Sequence, residues 1–492
     1  MECYQKFLDH VGDIEAYNRI WKRLDFERQC CTPGTGLTCC AEDISLISKK
    51  LHELKCDPAH VKTMEALLAD SSLTPIESAS VKYYYELYRK EKNNSSDISQ
   101  ELSSATGAAF DAWIRARQAN DYSVFMPYLK NVIEMIKKIN SNREIPCDTL
   151  YDACLSDFER DSTVQKMDEF FDEIKSEFCS NQSLICQNQH DDDPLFVRKV
   201  PLETQKKLAL VLLDAEGVDL NQTFFTETEH PFTQSIGYGD LRVTTHYYEN
   251  DFISSIYTVM HEGGHAILHL NLPERFRQNG LSDVPTYGMH ECISRFYENI
   301  IARSYAFCEW ITPIIQQYIP GTFDDLSAQK LYHYVNRRQS NPIRLEADEW
   351  SYCLHILIRY ELEKAFINDN LSVEDIPQIW NEKYRQYLGI EVQNDNDGVL
   401  QDVHWVDSIG YFPSYALGTV ASAQLFYRMN EDFDVYQAVR EGRMRKISEW
   451  LQKNAFVDSM TSNVGTWIES VTCQKLSTKH FIRYLKEKEK TL

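Results

Sequence analysis

Apolar residues recur at intervals of three and four along almost the whole chain, and this period constrains the fold more than any other feature. Segments 43–68 and 164–178 are examples, with charged residues between the apolar positions. This is the period of an α-helix with one buried face. Only "GDLRVTTHYYEND" (239–251) alternates as a strand does, with Leu241 and Val243 on one side. The pattern therefore predicts a mainly α-helical protein with one short β-sheet.

Breaks between the helical segments are marked by turn-forming residues. They fall at "KNNSSD" (92–97), "NQHDDDP" (188–194) and "QNDNDG" (393–398). The chain has no internal repeat, coiled-coil heptads or low-complexity segment. With 492 residues, 43% of them hydrophobic, it can bury a large core as one domain or a few subdomains.

Charge and hydropathy exclude several classes of function. The formal net charge is −23, and nucleic-acid binding needs clustered Lys and Arg, so we expect no nucleic-acid partner. The first residues are charged throughout and do not form a signal peptide. No stretch approaches the roughly 18 uncharged apolar residues that would span a bilayer. We expect a soluble, cytoplasmic protein that does not bind membranes.

The chain has 14 cysteines, which we interpret as reduced thiols in a cytoplasmic protein. Four of them lie in "CCTPGTGLTCC", namely Cys30, Cys31, Cys39 and Cys40. Their spacing matches no zinc-ribbon pattern, and adjacent cysteines rarely both reach one tetrahedral ion. Ordinary thiols are therefore the favoured interpretation over a metal site.

The segment "FISSIYTVMHEGGHAILHL" (252–270) is predicted to be a buried helix that carries chemistry. Its apolar stripe has helical spacing: Phe252, Ile256, Val259, Gly263, Ile267 and Leu270. His261 and His265 lie one turn apart on one face, as two ligands of a single ion must. Glu262 points about a quarter-turn away, where a general base would lie.

Chance explains this motif poorly. A random His-Glu-x-x-His is expected only about 0.03 times in such a chain, although a pair of hydrogen-bonded core histidines is the plain structural alternative. Two glycines inside a helix cost roughly 1 kcal/mol each, so close packing is expected at Gly263 and Gly264. His269 also lies four residues from His265, but without a glutamate beside it, and we interpret it as a packing or supporting residue.

A catalytic zinc has three protein ligands and one open position, and the next predicted helix, 287–307, offers the third. Its buried side is formed by Ile293, Phe296, Tyr297, Ile300 and Ile301. Glu291 and Glu298 lie two turns apart on one face, and His290 is a further option. Periodicity does not choose between them.

"HEGGH" followed by "HECISRFYEN" resembles the carboxypeptidase Taq family of zinc metallocarboxypeptidases. The other segments that carry this resemblance occur in the family's order: "HPF" (230–232), "DLRVT" (240–244), "IRLEAD" (343–348), "GVLQDVHW" (398–405) and "GYFPSYALG" (410–418). The layout of the amino-terminal half is also similar, so the resemblance covers nearly the whole chain.

The resemblance implies zinc ligands His261, His265 and Glu291, one Zn²⁺ per chain that Co²⁺ can replace, and Glu262 as general base. It implies a two-lobed, mainly α-helical zincin-type fold with a deep active-site cleft and a short sheet beside the zinc helix. Residues 1–492 would form one domain, with 1–190 as a helical lobe over the cleft and 191–492 as the catalytic region.

The sequence departs from the family's pattern at two places. Cys292-Ile293 follows the ligand glutamate, where the family has Ser-Gln or Gly-Gln, and the segment from His404 to Tyr411 is one residue shorter. The resemblance also implies a homodimer and broad specificity for peptides with a free carboxyl terminus, with proline disfavoured.

Further residues are assigned to the site as hypotheses. Tyr411, Tyr415 and His404 are candidate donors to the oxyanion, with an aromatic core as the alternative. Arg344 is the candidate for binding the substrate carboxylate, unless Asp348 or Glu349 pairs with it.

Two pairs of side chains complete the predicted site. His230 and Arg242 are candidates for the cleft wall. Asp240 and Asp402 are candidates for orienting histidines, with helix or strand capping as the alternative. Asp348 is a third supporting carboxylate.

Two rival functions remain. An oligopeptide endopeptidase or dipeptide-releasing peptidase with the same zinc helix would still cleave a peptide whose carboxyl terminus is an amide. A catalytically inactive binding protein would keep zinc for structure, but structural zinc needs no base and Glu262 is intact. The sequence therefore predicts a zinc-dependent metallocarboxypeptidase that releases single residues.

Overall fold

A computed structural model describes residues 2–179, 194–228, 230–284, 286–338, 340–368 and 370–492. The mainly α-helical fold predicted from the apolar period is confirmed. The helices that precede the sheet are α1 (Glu2–Cys30), α2 (Leu37–Lys55), α3 (Pro58–Leu68), α4 (Pro75–Glu91), α5 (Ser96–Ala119), α6 (Met126–Asn142), α7 (Leu150–Leu155), α8 (Val164–Cys179) and α9 (Leu202–Glu216).

The helices that follow the sheet contain the three predicted metal ligands and Glu262. They are α10 (Phe252–Leu270), α11 (Glu274–Gln278), α12 (Tyr287–Arg295), α13 (Tyr305–Tyr318), α14 (Ala328–Val335), α15 (Tyr352–Ile367), α16 (Ile376–Leu388), α17 (Phe412–Asp432), α18 (Val435–Arg440), α19 (Arg445–Asn454), α20 (Val464–Thr472) and α21 (Thr478–Glu489). The predicted buried helix 252–270 is α10, with the same bounds.

Local sequence explains where several helices begin. Thr74 and Glu77 form a capping box at the start of α4, and Pro75 is the first residue of that helix. Ser95 accepts a hydrogen bond from the backbone of Ile98 at the start of α5. The predicted break at 92–97 is therefore the junction of two capped helices. The predicted break at 188–194 lies outside the described residues except for its last position.

Three strands form the sheet: β1 (Thr223–Glu227), β2 (Thr233–Gly237) and β3 (Asp240–Thr245). β3 lies in the centre, parallel to β1 and antiparallel to β2, with Thr233 opposite Val243. The predicted strand is confirmed as β3. β1 and β2 were not predicted because each is only five residues long and neither shows a clear alternation.

Two hydrophobic clusters stabilise the fold. The larger one runs from Ala109 to Leu485 and includes residues of α5–α10 and of most later helices. The smaller one joins α1 to α4 and includes Phe7 and Met64. Helices on both sides of residue 190 share the larger core, and a boundary at that residue remains a prediction that falls outside the described residues.

The predicted helix 287–307 is interrupted. α12 ends at Arg295, a π-helix covers Phe296–Ile301, and α13 begins at Tyr305. The predicted apolar side is buried as expected. A π-helical turn widens the helix and is frequent at functional sites, and this one carries Glu298.

No helix in the described ranges is long and apolar enough to cross a membrane. Cys30 lies at the end of α1, Cys31 follows it, and Cys39 and Cys40 lie in α2, where the thiol of Cys40 donates to the carbonyl of Leu24. These four are free thiols.

Candidate active site

α10 brings three histidines to one face. Within Phe252–His269 most side chains are buried, whereas His261, His265 and His269 are only partly buried. We call this the histidine face of α10. Nε2 of His261 lies 3.7 Å from Oε2 of Glu291, and Nε2 of His265 lies 3.8 Å from Oε1 of the same residue.

These three residues form a group whose potential ligand atoms all lie within 4.8 Å of one another. It is the one such group of three or more in the part of the chain that is described. The cluster Cys30, Cys31, Cys39 and Cys40 does not form one.

Glu291 and Glu298, which periodicity left as alternatives, have different positions. Glu291 is 1% exposed and lies between the two histidines. Glu298 instead accepts a hydrogen bond from Nδ1 of His261 at 2.8 Å and another from Arg295 at 2.7 Å. A carboxylate on Nδ1 directs Nε2 of the same ring toward Glu291. Glu298 therefore orients His261.

Neighbouring side chains hold Glu291 in place. Tyr411 donates to Oε1 at 2.7 Å, and Ser294 donates to Oε2 at 3.1 Å. Cys292 and Ile293, which depart from the family's pattern, are fully buried. Support for Glu291 therefore comes from Ser294, two residues beyond Cys292.

The glycines of "HEGGH" are required by packing, as predicted. A Cβ atom on Gly263 would lie 1.6 Å from the carboxylate of Glu216 in α9. A Cβ on Gly264 would lie 2.7 Å from the backbone of Ser294. Gly418 of α17 is similar, since its Cβ would lie 2.4 Å from Glu291. These contacts bring α9, α12 and α17 against the residues of the site.

The charges of the group fit a cation. Burial lowers the pKa of His265 well below 6.5, so this ring is neutral and has a free electron pair. Burial acts the same way on His261, but the hydrogen bond to Glu298 and the charge of Glu291 outweigh it and raise its pKa to about 9. A divalent ion would replace that proton. Two imidazoles and one carboxylate at these separations are a donor set that suits zinc.

Glu262 lies beside the three potential ligands without belonging to their group. Its carboxylate is 6% exposed, and Thr233 of β2 donates to Oε2 at 2.7 Å. Burial raises the pKa of Glu262 to about 7. Such a carboxyl group can both accept and release a proton near neutral pH.

Tyr411, Tyr415 and His404 form an aromatic cluster next to Glu291. The rings of Tyr411 and Tyr415 are 4.9 Å apart, and Nε2 of His404 lies 3.1 Å from the hydroxyl of Tyr415. Burial raises the pKa of both tyrosines well above 10. Burial and the charge of Arg344 lower the pKa of His404 to about 3. The two hydroxyls therefore stay protonated and the imidazole stays neutral.

Arg344 belongs to a buried cluster centred on Asp402. Its Nε and Nη2 donate to Oδ1 of Asp402 at 2.9 and 2.7 Å, while Arg359 of α15 donates to Oδ2 at 2.6 Å. Gln401 accepts from the backbone of Arg344 and from Nη2 of Arg359. The guanidinium of Arg344 stacks 5.1 Å from the ring centre of Tyr415. Only its Nη1 is weakly bound, at 3.4 Å from Tyr352.

The other predicted site residues lie in separate contacts. Asp240 accepts two hydrogen bonds from Arg242, whose guanidinium lies 5.1 Å from the ring centres of Phe26 and Phe224. Asp348 accepts from the backbone of Trp350 and Ser351 just before α15. Asp402 is 3.8 Å from Nδ1 of His404, too far for the predicted hydrogen bond, and it accepts from Arg344 and Arg359 instead.

His230 and Glu349 complete the predicted set. His230 is exposed, with its ring 5.7 Å from that of Trp113 in α5. Glu349, offered as a partner of Arg344, accepts instead from Tyr484 at 3.0 Å.

Several contributors were not found from the sequence. Thr233 lies in a strand that was not predicted, and Ser294 was not singled out. Arg359 left one usable signal, since it is the lone arginine in the apolar stretch "YCLHILIRY". A buried arginine must be paired. Glu298 was considered as a candidate ligand, but it lies on the Nδ1 side of His261, from which it accepts a hydrogen bond.

Comparison with known proteins agrees with this geometry. The model of the carboxypeptidase Taq (M32) metallopeptidase family matches residues 6–489. The chain belongs to this family. Carboxypeptidase 1 of Bacillus subtilis is 35% identical over 503 residues, which cover 100% of this chain and 99% of that protein. Thermostable carboxypeptidase 1 of Thermus thermophilus is 30% identical over 500 residues, covering 99% and 98%.

A solved structure has the same fold. The chain superimposes on a Pyrococcus furiosus carboxypeptidase with a TM-score of 0.92 and 28% identity, covering 99% of each chain. The predicted family and enzyme class are confirmed: this M32 protein is a metallocarboxypeptidase, a hydrolase of peptide bonds.

Proposed function

We propose that this M32 enzyme is zinc-dependent, releases single amino acids from peptides of varied sequence, and uses His261, His265 and Glu291 as its metal ligands. The convergence of these three side chains beside a buried glutamate carries the proposal. An ion bound there supplies positive charge that polarises the scissile carbonyl and acidifies a water molecule. Co²⁺, which accepts the same ligands, should replace Zn²⁺.

Glu262 is the proposed general base. It takes a proton from the attacking water and later delivers it to the nitrogen of the leaving amino acid. Thr233 donates to one carboxylate oxygen, which leaves the other free for the proton. A pKa of about 7 supports both transfers near neutral pH.

Tyr411, Tyr415 and His404 are proposed to act on the developing oxyanion and on its surroundings. The hydroxyl of Tyr411 donates to Glu291, so this residue also orients a ligand. Tyr415 lies between Tyr411, which contacts a proposed metal ligand, and Arg344, since its ring contacts both residues. Donors directed at the oxyanion typically contribute about 2.7–4 kcal/mol each.

Arg344 is proposed to bind the carboxylate of the substrate's last residue. Its charge is not cancelled, because Asp402 is shared with Arg359. Its Nη1 has only the long contact to Tyr352, so it can donate to a second carboxylate. This supports a peptidase that recognises a free carboxyl terminus rather than the oligopeptide endopeptidase considered above, and the mass of the released product separates release of single residues from release of dipeptides.

Paired peptides test the proposal: one with a free carboxyl terminus and the same peptide as an amide, analysed by mass spectrometry with and without chelator. The enzyme should release single residues from the free acid, prefer it strongly, and lose activity with chelator. Arg344→Ala should reduce that preference toward unity, mainly through KM, and Arg344→Lys should reduce it less.

Asp402 keeps Arg359 as a partner in both variants, so the fold should survive. If Arg344→Ala folds, retains metal and prefers the free acid as before, another group binds the carboxylate, with Arg242 and His230 tested next. Efficient cleavage of the amide by the unmodified enzyme would favour the endopeptidase.

We also propose a cytoplasmic homodimer. Free thiols among the described cysteines are in keeping with a reducing compartment. Sedimentation equilibrium at micromolar concentration tests the dimer, and a monomer mass would contradict it.

A further inference from the structure

A second pair of histidines lies beside the proposed metal centre. His269 extends the histidine face of α10 by one turn beyond His265, about 6 Å along the helix axis. His290 lies in α12, next to Glu291 in the sequence. The rings of His269 and His290 have their centroids 5.0 Å apart, with an angle of 53° between the planes.

This separation of the ring centres is compatible with a shared ion. Two imidazoles that bind one tetrahedral ion through nitrogen atoms at 2.0–2.1 Å have ring centres about 5 Å apart. His261 and His265 are separated by 4.9 Å, at 81°. His10 and His60 show the contrast, since their rings stack at 3.9 Å and 21° and their in-plane electron pairs cannot converge.

The ring nitrogens of His269 and His290 are available. Neither ring has a hydrogen-bond partner among the described residues, and both are only partly buried. Asp283 and Lys22 lie nearby, paired with each other at 2.6 Å, and their charges largely cancel. The rings of Tyr287 and His265 lie 5.8 and 5.9 Å from that of His290, so the pair adjoins the proposed catalytic ligands.

We propose that His269 and His290 form a second, weaker metal site that binds a zinc-type cation when the ion is in excess. Imidazole pairs select Zn²⁺, Ni²⁺ or Cu²⁺ over Mg²⁺ and Ca²⁺, which need oxygen ligands. Two ligands bind more weakly than the three of the proposed catalytic centre. An ion at this site lies one helical turn from His265, where it obstructs a peptide, so excess zinc inhibits the enzyme.

Only that inhibition rests on the proposed function, and metal stoichiometry tests the site itself. The enzyme is dialysed against buffers of rising free Zn²⁺, and bound metal is counted by mass spectrometry of the digested protein. The unmodified enzyme should take up one equivalent and then a second. His269→Gln and His290→Gln should each lose the second, with at least a ~10-fold shift in the zinc required, and His269→Gln should keep the first.

His333→Gln is the matched control, because His333 also lies in the last turn of a helix, α14, and it should keep both equivalents. Mg²⁺ should add no second equivalent. Inhibition of peptide hydrolysis by excess zinc should appear in the unmodified enzyme and in His333→Gln, and should shift by the same factor in His269→Gln.

A single equivalent at all zinc concentrations would overturn the proposal, and so would a second equivalent that persists in folded His269→Gln and His290→Gln. Equal inhibition of the unmodified enzyme and His269→Gln would also overturn it. Loss of the first equivalent in His261→Gln, with the second retained, would support two separate sites. Two bound equivalents without any peptide hydrolysis would refute the proposed function and leave the second site standing.

Discussion

The group of potential metal ligands (His261, His265 and Glu291) and the cluster around Asp402 both contain buried charged side chains, but the balance of positive and negative charge is opposite in the two. Once an ion has replaced the proton of His261, Glu291 and Glu298 carry two negative charges against one positive charge on Arg295. Around Asp402 two positive charges, on Arg344 and Arg359, face one negative charge. A buried charge needs compensation, so the first group is suited to a cation and the second to an anion.

The two regions also differ in how complete their hydrogen bonds are. In the first region, Nε2 of His261 and Nε2 of His265 lie 3.7 and 3.8 Å from the carboxylate oxygens of Glu291. These distances are too long for hydrogen bonds among the three potential ligands. In the second, every nitrogen of Arg359 has a partner at 3.2 Å or less. Substitutions in the first region should therefore affect turnover and metal affinity. Substitutions in the second should also lower the free energy of unfolding.

The largest expected effect is on turnover, in Glu262→Gln. Loss of the base should lower kcat by about 10²–10⁴-fold, while the bound metal and the melting temperature stay close to those of the unmodified enzyme. Steady-state kinetics, elemental analysis and thermal unfolding measure kcat, bound metal and melting temperature, respectively. Glu216→Gln is the control, since Glu216 is also a buried glutamate beside α10 but has no role in the proposed mechanism. Turnover within tenfold of normal in Glu262→Gln would remove it as the base.

The next effect is on stability, in Asp402→Asn. It leaves two buried guanidinium groups without their carboxylate and should cost about 3–5 kcal/mol of unfolding free energy. Asp240→Asn, in a more exposed pair with Arg242, should cost less than about 1 kcal/mol. Urea denaturation compares them. Equal losses of unfolding free energy in the two variants would show that the Asp402 cluster stabilises the fold no more than a surface ion pair does.

Low pH should remove part of the stability that the Asp402 cluster contributes. Burial alone would raise the pKa of Asp402, but the charges of Arg344 and Arg359 outweigh it and hold that pKa well below its usual range. A lowered folded-state pKa stabilises the protein above the unfolded value, about 3.9. The contribution is lost as the pH falls below it toward the folded value. Stability measured from pH 6 to 3 should therefore fall less steeply in Asp402→Asn.

A smaller effect separates the two glutamates of the metal region. Glu298→Gln, which disturbs the orientation of His261, should weaken zinc binding by roughly 10–100-fold. Glu291→Gln, which removes a proposed ligand, should weaken it more. Competition with a chromophoric chelator gives both affinities. If Glu298→Gln loses zinc and Glu291→Gln keeps it, the proposed ligand set is wrong.

The smallest effect concerns the packing behind α10. Gly263→Ala places a methyl group against Glu216 and should cost about 1–2 kcal/mol. The double variant Gly263→Ala/Glu216→Ala should recover much of that loss, because the obstructing carboxylate is gone. Gly264→Ala meets backbone at Ser294 and should not be rescued by Glu216→Ala. Thermal unfolding of the three single variants and the two double variants tests this; simple additivity of Gly263→Ala and Glu216→Ala would contradict the contact.

The sequence alone determined most of what depends on local period and local motif, although it missed strands β1 and β2 and the interruption of helix 287–307. The three-and-four spacing predicted the helices, including the bounds of 252–270, because one buried face repeats every turn. The spacing within "HEGGH" predicted that His261 and His265 share a face. The family followed from motifs spread over the chain, which need no three-dimensional information.

The tertiary structure decided what distant segments do to each other. Without the resemblance, Glu291 and Glu298 were equivalent, since both lie on one face of a predicted helix; the π-helical turn and the approach of α17 at Gly418 separate them. The same holds for Arg344, whose shared partner Asp402 lies 58 residues away, and for Glu216, whose contact with Gly263 joins two helices. Such contacts depend on packing between elements, which leaves no period in a single sequence.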